Sequence, residues 1–477
     1  MRKNFISRLL LYRYRFVIGY TMLGMIFVLL LLVLPFVAQT GLTEAEIESA
    51  TKSNYLNLGA LLDGNLVNLP YRLLQKTSIY ILGLTPYAIK LPSILVGLCF
   101  GLFLILLLNR WFKTNVSLLT SCLMVLSTLF LFLAGSGTPL IMLVFWPTLL
   151  LWLGSKIQGE KRPKPSYCFI FAICLFFSIF TPYMIYFAIF CVLFVLFQPH
   201  LRFVIKSLPK LPLFAVFMLG LVGGIILVMN LVSRPEMVAD LLFVPDFEIK
   251  DFWPNIGAGL SILLPIGGEH EVFPAPLVGL PIFALSLIGL LSTTKGFFAS
   301  RNSIASLLLI FTIIITGFNP EAIIFLILPC AILVAHGLRY ILEKWYGLFP
   351  ENPYARVVAI LQLSILFAAI LLPSLLQYVY GYHYDPEMAS RFNYDLAVIQ
   401  KNLTNETLLG SSHYYFFKIL DDTTDIKVIS EIPQKKPALL AMLRSEYSGD
   451  DYQLSEIITS SMKEDSDIIY VYTVKGE

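Results

Sequence analysis

The sequence predicts an all-α polytopic membrane protein of about eleven transmembrane helices, its N-terminus cytoplasmic, with a small extracytoplasmic α/β domain at the C-terminal end. Three observations predict it. Only 14% of the 477 residues are charged, where a soluble globular chain carries about 25%. The missing charge is concentrated: residues 17–37, 95–108, 117–134 and 304–318 hold no Asp, Glu, Lys or Arg, and an apolar run of about 20 residues spans a bilayer core of roughly 30 Å. After residue 380 the composition changes to charge-rich sequence with few long apolar runs.

Taken in order, the apolar spans fall at about 16–37, 88–108, 117–134, 139–155, 167–181, 183–198, 212–232, 276–292, 303–318, 321–337 and 357–379. The first is preceded by Arg2, Lys3, Arg8, Arg13 and Arg15. It is too long for the apolar core of a secretory signal and lacks a good cleavage site after it, so it reads as a retained helix. The pair 167–181 and 183–198 would make one long helix but for Pro182, which removes a backbone donor. Loop charge supports splitting it. With the N-terminus inside, nineteen Lys and Arg residues before residue 380 fall on the inner side and six (Lys52, Arg72, Lys76, Lys90, Arg234, Lys250) on the outer side, as the positive-inside rule requires. Merging the pair would reverse every later loop.

Residues 1–380 thus read as the transmembrane body, with two long outside loops, 38–87 and 233–275. Loops of that length are functional or disordered, and the aromatic content of these two predicts that they fold onto the membrane surface. In the first, Thr43 is suited to an N-cap, with Glu44 and Glu46 in the turn that follows. Residues 69–84 have apolar positions at helical spacing interrupted by Arg72, Gln75 and Lys76, an amphipathic helix at the interface. In the C-terminal domain, 381–477, helices are expected at 387–401, 412–420 and 437–445 and strands at 407–410, 426–429 and 467–474. It holds no Gly-rich phosphate loop, and its expected part is capping or acceptor contact. Asn402 and Asn405 match the glycosylation acceptor pattern.

Several classes are disfavoured. A net charge of +3 offers little to nucleic acid. The six cysteines all lie in apolar runs, with neither disulfide nor metal spacing. No internal repeat is visible, and the spans hold almost no ionisable residue, His336 near an inner end being the nearest case. That counts against an ion-coupled transporter.

Four stretches then acquire meaning from their order: Asn68-Leu-Pro-Tyr-Arg-Leu-Leu-Gln-Lys; Gly83-Leu-Thr-Pro-Tyr-Ala-Ile-Lys-Leu-Pro-Ser93; Ala134-Gly-Ser-Gly-Thr-Pro139; and Pro329-Cys-Ala-Ile-Leu-Val-Ala-His-Gly-Leu338. Together, across roughly 40–380, they resemble the GT-C type membrane glycosyltransferases, and most closely the protein-mannosyltransferase and aminoarabinose-transferase-like group (glycosyltransferase family 39-like). The resemblance implies transfer of a hexosyl or pentosyl unit from a polyprenyl-phosphate donor to a glycan, lipid or protein acceptor at the extracytoplasmic face of the cell membrane. An acidic pair early in the first outside loop would supply the general base. Here the matching stretch is Leu42-Thr43-Glu44-Ala45-Glu46-Ile47, with Thr43 where the first acid of the pair would stand, and Asn68-Leu69 replaces the usual His-Pro. Glu44 and Glu46 are therefore the catalytic candidates, though both also suit a helix start.

Arg72 and Lys76 are the candidate phosphate contacts, because a leaving phosphate carries charge that cations at the outer interface stabilise. Glu269 and His270, in Gly267-Gly268-Glu269-His270-Glu271, are candidates to line the substrate site. Two carboxylates around an imidazole would also accept a divalent metal, although no cofactor is required by the sequence. The change at Thr43 keeps open a non-catalytic protein of the same fold that binds lipid-linked glycan. A lipid or glycan transporter is the third reading.

Overall fold

Backbone polar groups have no water to bond to inside a bilayer, so apolar segments there form helices, which satisfy their own backbone. The computed structural model describes residues 15–38, 41–56, 66–159, 164–208, 210–235, 237–242, 249–263, 279–294, 299–348, 353–381, 391–403, 407–409, 413–424, 426–432, 437–443, 447, 449, 451–459 and 468–475. The chain begins with α1 (Arg15–Ala38), then β1 (Leu42–Thr43), α2 (Glu44–Asn54) and α3 (Leu69–Leu82) in the first long loop. The bundle continues through α4 (Pro86–Trp111), α5 (Thr114–Val125), α6 (Thr128–Gly135), a 3-10 turn at Pro139–Ile141 and α7 (Met142–Gly159). Next come α8 (Pro165–Ser178), α9 (Met184–Phe197), α10 (Pro199–Ser207), α11 (Lys210–Ser233), α12 (Met237–Leu242) and α13 (Phe252–Leu263). It closes with α14 (Leu280–Thr293), α15 (Ser300–Thr316), a 3-10 segment at Pro320–Leu326, α16 (Ile327–Leu348) and α17 (Pro353–Leu376).

The described part of each expected apolar span is largely helical, but 117–134 is divided between α5 and α6, and 139–155 and 321–337 each open in a 3-10 segment. The doubtful pair is two helices, with Tyr183 after Pro182 in the left-handed conformation (φ 61°) between α8 and α9. By length and composition, four helices among the described residues can cross a membrane: Pro86–Trp111, Pro139–Gly159, Leu213–Ser233 and Pro320–Gly347. Two bent pairs, α5 with α6 at 65° and α9 with α10 at 99°, raise that to six. Others, such as the 14-residue α8 and α14, are apolar but shorter. The exterior is apolar too. Only 17% of the most apolar stretch of Leu213–Ser233 is buried, leaving Phe214, Phe217, Val228 and Val232 exposed, a surface suited to lipid and not to water.

Pro320–Gly347 is the opposite case, with 94% of its apolar stretch buried at the centre of the main core. It packs on α14 backbone to backbone. A Cβ at Gly289 would lie 1.9 Å from the Leu333 carbonyl oxygen, and one at Gly337 would lie 2.3 Å from that of Leu285. Small residues permit such close approach between membrane helices, which gives a physical reason for glycine in the Ala335-His336-Gly337-Leu338 stretch.

The C-terminal part contains β2 (Phe392–Asn393), α18 (Asp395–Asn402), β3 (Thr407–Leu409), α19 (Tyr414–Phe417), α20 (Leu420–Thr423), β4 (Lys427–Ile429), β5 (Leu439–Leu443), β6 (Tyr452–Thr459) and β7 (Ile468–Val474). Five strands form one sheet in the order β4-β3-β5-β7-β6; β3 is parallel to β4 and β5, and β7 is antiparallel to β5 and β6. The expected helix at 437–445 is a strand instead. Leu439–Leu443 is built of good helix formers, but it lies between β3 and β7, where both edges are paired and Leu440 and Ala441 are fully buried; tertiary burial overrides local propensity. The strand β6 was not expected either, and the part of the 387–401 helix before Arg391 lies outside the described residues.

This part is packed onto the first loop. β1 pairs antiparallel with β2, Leu42 opposite Asn393 and Thr43 opposite Phe392. One apolar cluster joins Leu42, Ile47, Ile79 and Ile89 to Leu396, Ile399 and Phe416. Replacing Gly337 by Leu should destabilise the bundle by about 1–3 kcal/mol through overpacking, read as a lower melting temperature of the purified protein in detergent. An unchanged melting temperature would contradict the backbone contact.

Candidate active site

The helix α2 begins where it does because of a reciprocal cap. Thr43 is extended, and its Oγ1 accepts a hydrogen bond from the Glu46 backbone N–H at 3.3 Å; the Thr43 N–H donates back to Glu46 Oε2 at 2.7 Å. The other carboxylate oxygen, Oε1, accepts from the Gly137 N–H at 2.6 Å and lies 3.9 Å from Lys90 Nζ. Lys90 donates to the Gly41 carbonyl at 2.7 Å and lies over the Phe392 ring, 5.9 Å from its centroid. Glu46 and Lys90 are each 1% exposed, a buried ion pair with hydrogen bonds to the carboxylate and from the ammonium group.

Around that pair three of the four quoted stretches form one hydrogen-bonded knot. Gly137 has no room for a side chain, since a Cβ there would meet Ile89 Cγ2 at 2.7 Å. Gln75 is fully buried and uses its whole amide: Oε1 accepts from Ser49 (2.9 Å) and Ser53 (2.7 Å), and Nε2 donates to the carbonyls of Ile89 (3.1 Å) and Gly137 (2.9 Å). Tyr71 and Ser93 share a hydrogen bond at 2.7 Å, and Ser93 Oγ donates to the Thr138 carbonyl at 3.2 Å. Burial pushes the Tyr71 hydroxyl well above its ordinary pKa, so it stays protonated.

The candidates from the sequence fall in different surroundings. Glu44, one residue after the cap, is exposed, and its Oε2 lies 3.4 Å from His413 Nε2. His413 is itself in the left-handed conformation, φ 58°. The neighbouring contact is of the same kind: the Tyr55 hydroxyl donates to the Tyr415 carbonyl at 3.2 Å and the two rings meet edge to face. Gln400 closes the other side by donating to the Leu84 carbonyl. Arg72 is buried, and desolvation lowers its pKa to about 10, with Asp240 and Glu48 acting in the opposite sense; it remains a cation at neutral pH. Lys76 is half-buried and donates to the Leu56 carbonyl at 2.6 Å. Glu269 and His270 lie outside the described residues. Among the described residues no group of three or more His, Cys, Asp or Glu side chains could hold a metal ion.

Chemically the two carboxylates differ. Both oxygens of Glu46 are occupied and shielded, whereas Glu44 faces solvent and can meet a hydroxyl group. Lys90, Gln75 and Gly137, which organise this end of the bundle, were not picked out as site residues from the sequence. Each lies inside one of the quoted stretches, Lys90 also counting among the outer-side cations and Gln75 among the polar positions of the 69–84 helix. His413 has no local signal at all.

No family model matches the chain, and no curated protein does. Solved structures do. ArnT from Cupriavidus metallidurans in the apo state superposes with a TM-score of 0.57 at 12% identity, covering 96% of this chain and 98% of that one. The chain has the GT-C fold. The same ArnT bound to undecaprenyl phosphate gives a TM-score of 0.54 at 11% identity, again over 96% and 98%. The apo oligosaccharyltransferase of Archaeoglobus fulgidus gives 0.50 at 12% identity, over 85% of this chain and 64% of that one. The likeness to ArnT takes in nearly the whole chain and so includes the C-terminal sheet.

The Glu46–Lys90 pair makes a prediction. Glu46→Gln or Lys90→Met alone leaves a buried charge unpaired and should cost about 3–5 kcal/mol. The double variant should recover part of that loss in a double-mutant cycle of unfolding. Additive losses would show that the two charges are independent.

Proposed function

We propose that this chain is a glycosyltransferase of the cell membrane. It would move a sugar from a polyprenyl-phosphate donor to an acceptor hydroxyl at the extracytoplasmic face. The observation that carries this reading is the superposition, over 96% of the chain, on an ArnT structure bound to undecaprenyl phosphate. In the proposed reaction Glu44 takes the proton from the acceptor hydroxyl. The freed oxygen attacks the anomeric carbon, the bond from that carbon to the phosphate oxygen breaks, and the lipid phosphate leaves with its electron pair, inverting the configuration. Glu44 is assigned this role because it is the carboxylate of the acidic stretch that solvent reaches. Glu46 would act as a positioning residue, through the cap and Lys90. Arg72 and Lys76, one turn apart on α3 and so on one face, would meet the leaving phosphate. Glu269 and His270 would line the acceptor side. The C-terminal domain, residues 381–477, would cap the site from outside the membrane.

A second reading has its own support. With Glu46 engaged on both oxygens, the paired carboxylates of the resembled group are reduced to one. A chain of this fold that binds lipid-linked glycan without transferring it would keep the same knot.

Purified protein given a radiolabelled polyprenyl-phosphate sugar and membrane acceptor extract separates the two readings. The enzyme releases polyprenyl phosphate and labels an acceptor; the binding protein retains intact donor. For the enzyme, Glu44→Gln should lower turnover by about 10²–10⁴ with the melting temperature unchanged. Full turnover in Glu44→Gln would remove the base assignment. A cysteine placed at residue 44 should react with an impermeant thiol reagent from outside the cell; reaction only from the cytoplasmic side would remove the proposed topology.

A further inference from the structure

At the far end of α7 from Gly137, the helices α7, α8, α9, α10 and α11 enclose a cavity of about 470 Å³. Its walls are apolar, with Leu150, Phe171, Val192 and Leu213 among them, and Ser155 and Gln158 supply the oxygen-bearing side chains. Ser155 is already committed, donating to the Trp152 carbonyl at 2.7 Å. The floor is α10, which turns 99° away from α9 and offers Leu201, Val204 and Ile205 to the cavity. Arg202 and Lys206 lie on the exposed side of the same helix. That arrangement is an amphipathic helix lying across the bundle end, suited to a headgroup layer.

Charge fixes the class of occupant. Between residues 155 and 210 the sequence has seven Lys or Arg residues and a single acid, Glu160. Lys164, Arg202, Lys206 and Lys210 are exposed, and the last three lie within two residues of the lining residues Leu201, Ile205 and Leu208. Clustered Lys and Arg next to an apolar slot attract anionic lipid headgroups, and a volume of this size is typical of a ligand site. We propose that the cavity holds an acyl chain of an anionic phospholipid whose phosphate is met by Arg202, Lys206 and Lys210. The polyprenyl donor is a poorer fit. The cavity begins at Leu150, eight residues into α7 from Met142 and about 12 Å along the helix, and the cations lie beyond it on α10 and α11, so a donor reacting beside Glu44 keeps its own phosphate away from them. The inference is independent of whether the chain is catalytic.

Native mass spectrometry of the full-length protein in detergent tests it, with phosphatidylglycerol and phosphatidylcholine of equal chain length as probes. Phosphatidylglycerol should be retained in preference. The double variant Arg202→Gln with Lys206→Gln, both exposed and so safe for folding, should weaken its retention on the order of tenfold and leave phosphatidylcholine unchanged. Gly154 lines the cavity, and a Cβ there meets nothing within 4 Å. Gly154→Phe should therefore fill the space and lower retention of both lipids, with a melting temperature in lipid-free detergent no lower than that of the parent. Equal retention of the two lipids, no effect of the double variant, or one-for-one displacement of phosphatidylglycerol by polyprenyl phosphate would each overturn the proposal.

Discussion

The Glu46 carboxylate is the point on which the Gly137 end of the bundle depends. It joins three stretches distant in sequence: the start of α2, the turn at Gly137 and the start of α4 at Lys90. A buried ion pair contributes little net stability over well-packed apolar groups, but breaking it is costly. It therefore acts as a register. If the turn at 136–138 shifts, the carboxylate loses the Gly137 N–H; if α2 starts elsewhere, it loses the cap. Gln75 adds a second constraint, tying α2 and α3 to the Ile89 and Gly137 carbonyls. The two helices of the first long loop are thereby tied to the start of α4 and to the Gly137 turn.

That fixation separates two carboxylates that are close in sequence. Residues two apart on a helix do not share a face, so once Glu46 is turned into the core, Glu44 is turned out. The outward face meets the C-terminal part of the chain, through the β1–β2 pairing and His413. A charge-rich segment at the end of the sequence thus forms part of the wall around the exposed carboxylate, and the apolar cluster shared by both regions holds it there.

Much of this was legible beforehand, and the reasons are physical. Apolar runs announce helices because hydropathy and the backbone constraint act locally. Thr43 followed by two acids announces a helix start through the chemistry of orphan N–H groups, and α3 shows its amphipathic spacing directly. The rest depends on partners remote in sequence. Leu439–Leu443 is a strand only because β3 and β7 flank it. The two-residue pairing of Leu42 with Asn393 crosses most of the chain. That Glu46 points inward cannot be read from its own neighbours, since the turn that donates to it lies at Gly137. Gly337 reads as one more small residue until the backbone of α14 is laid against it.

Amide hydrogen exchange at Gly137 measures the central contact directly. With its N–H donated to a buried carboxylate, Gly137 should exchange as slowly as amides inside α4, and Glu46→Ala should accelerate it by at least about tenfold if the bond contributes on the order of 1.4 kcal/mol or more. Exchange at the rate of an open loop in the unsubstituted protein, or no change on removing the carboxylate, would mean that Glu46 does not hold this end of the molecule together.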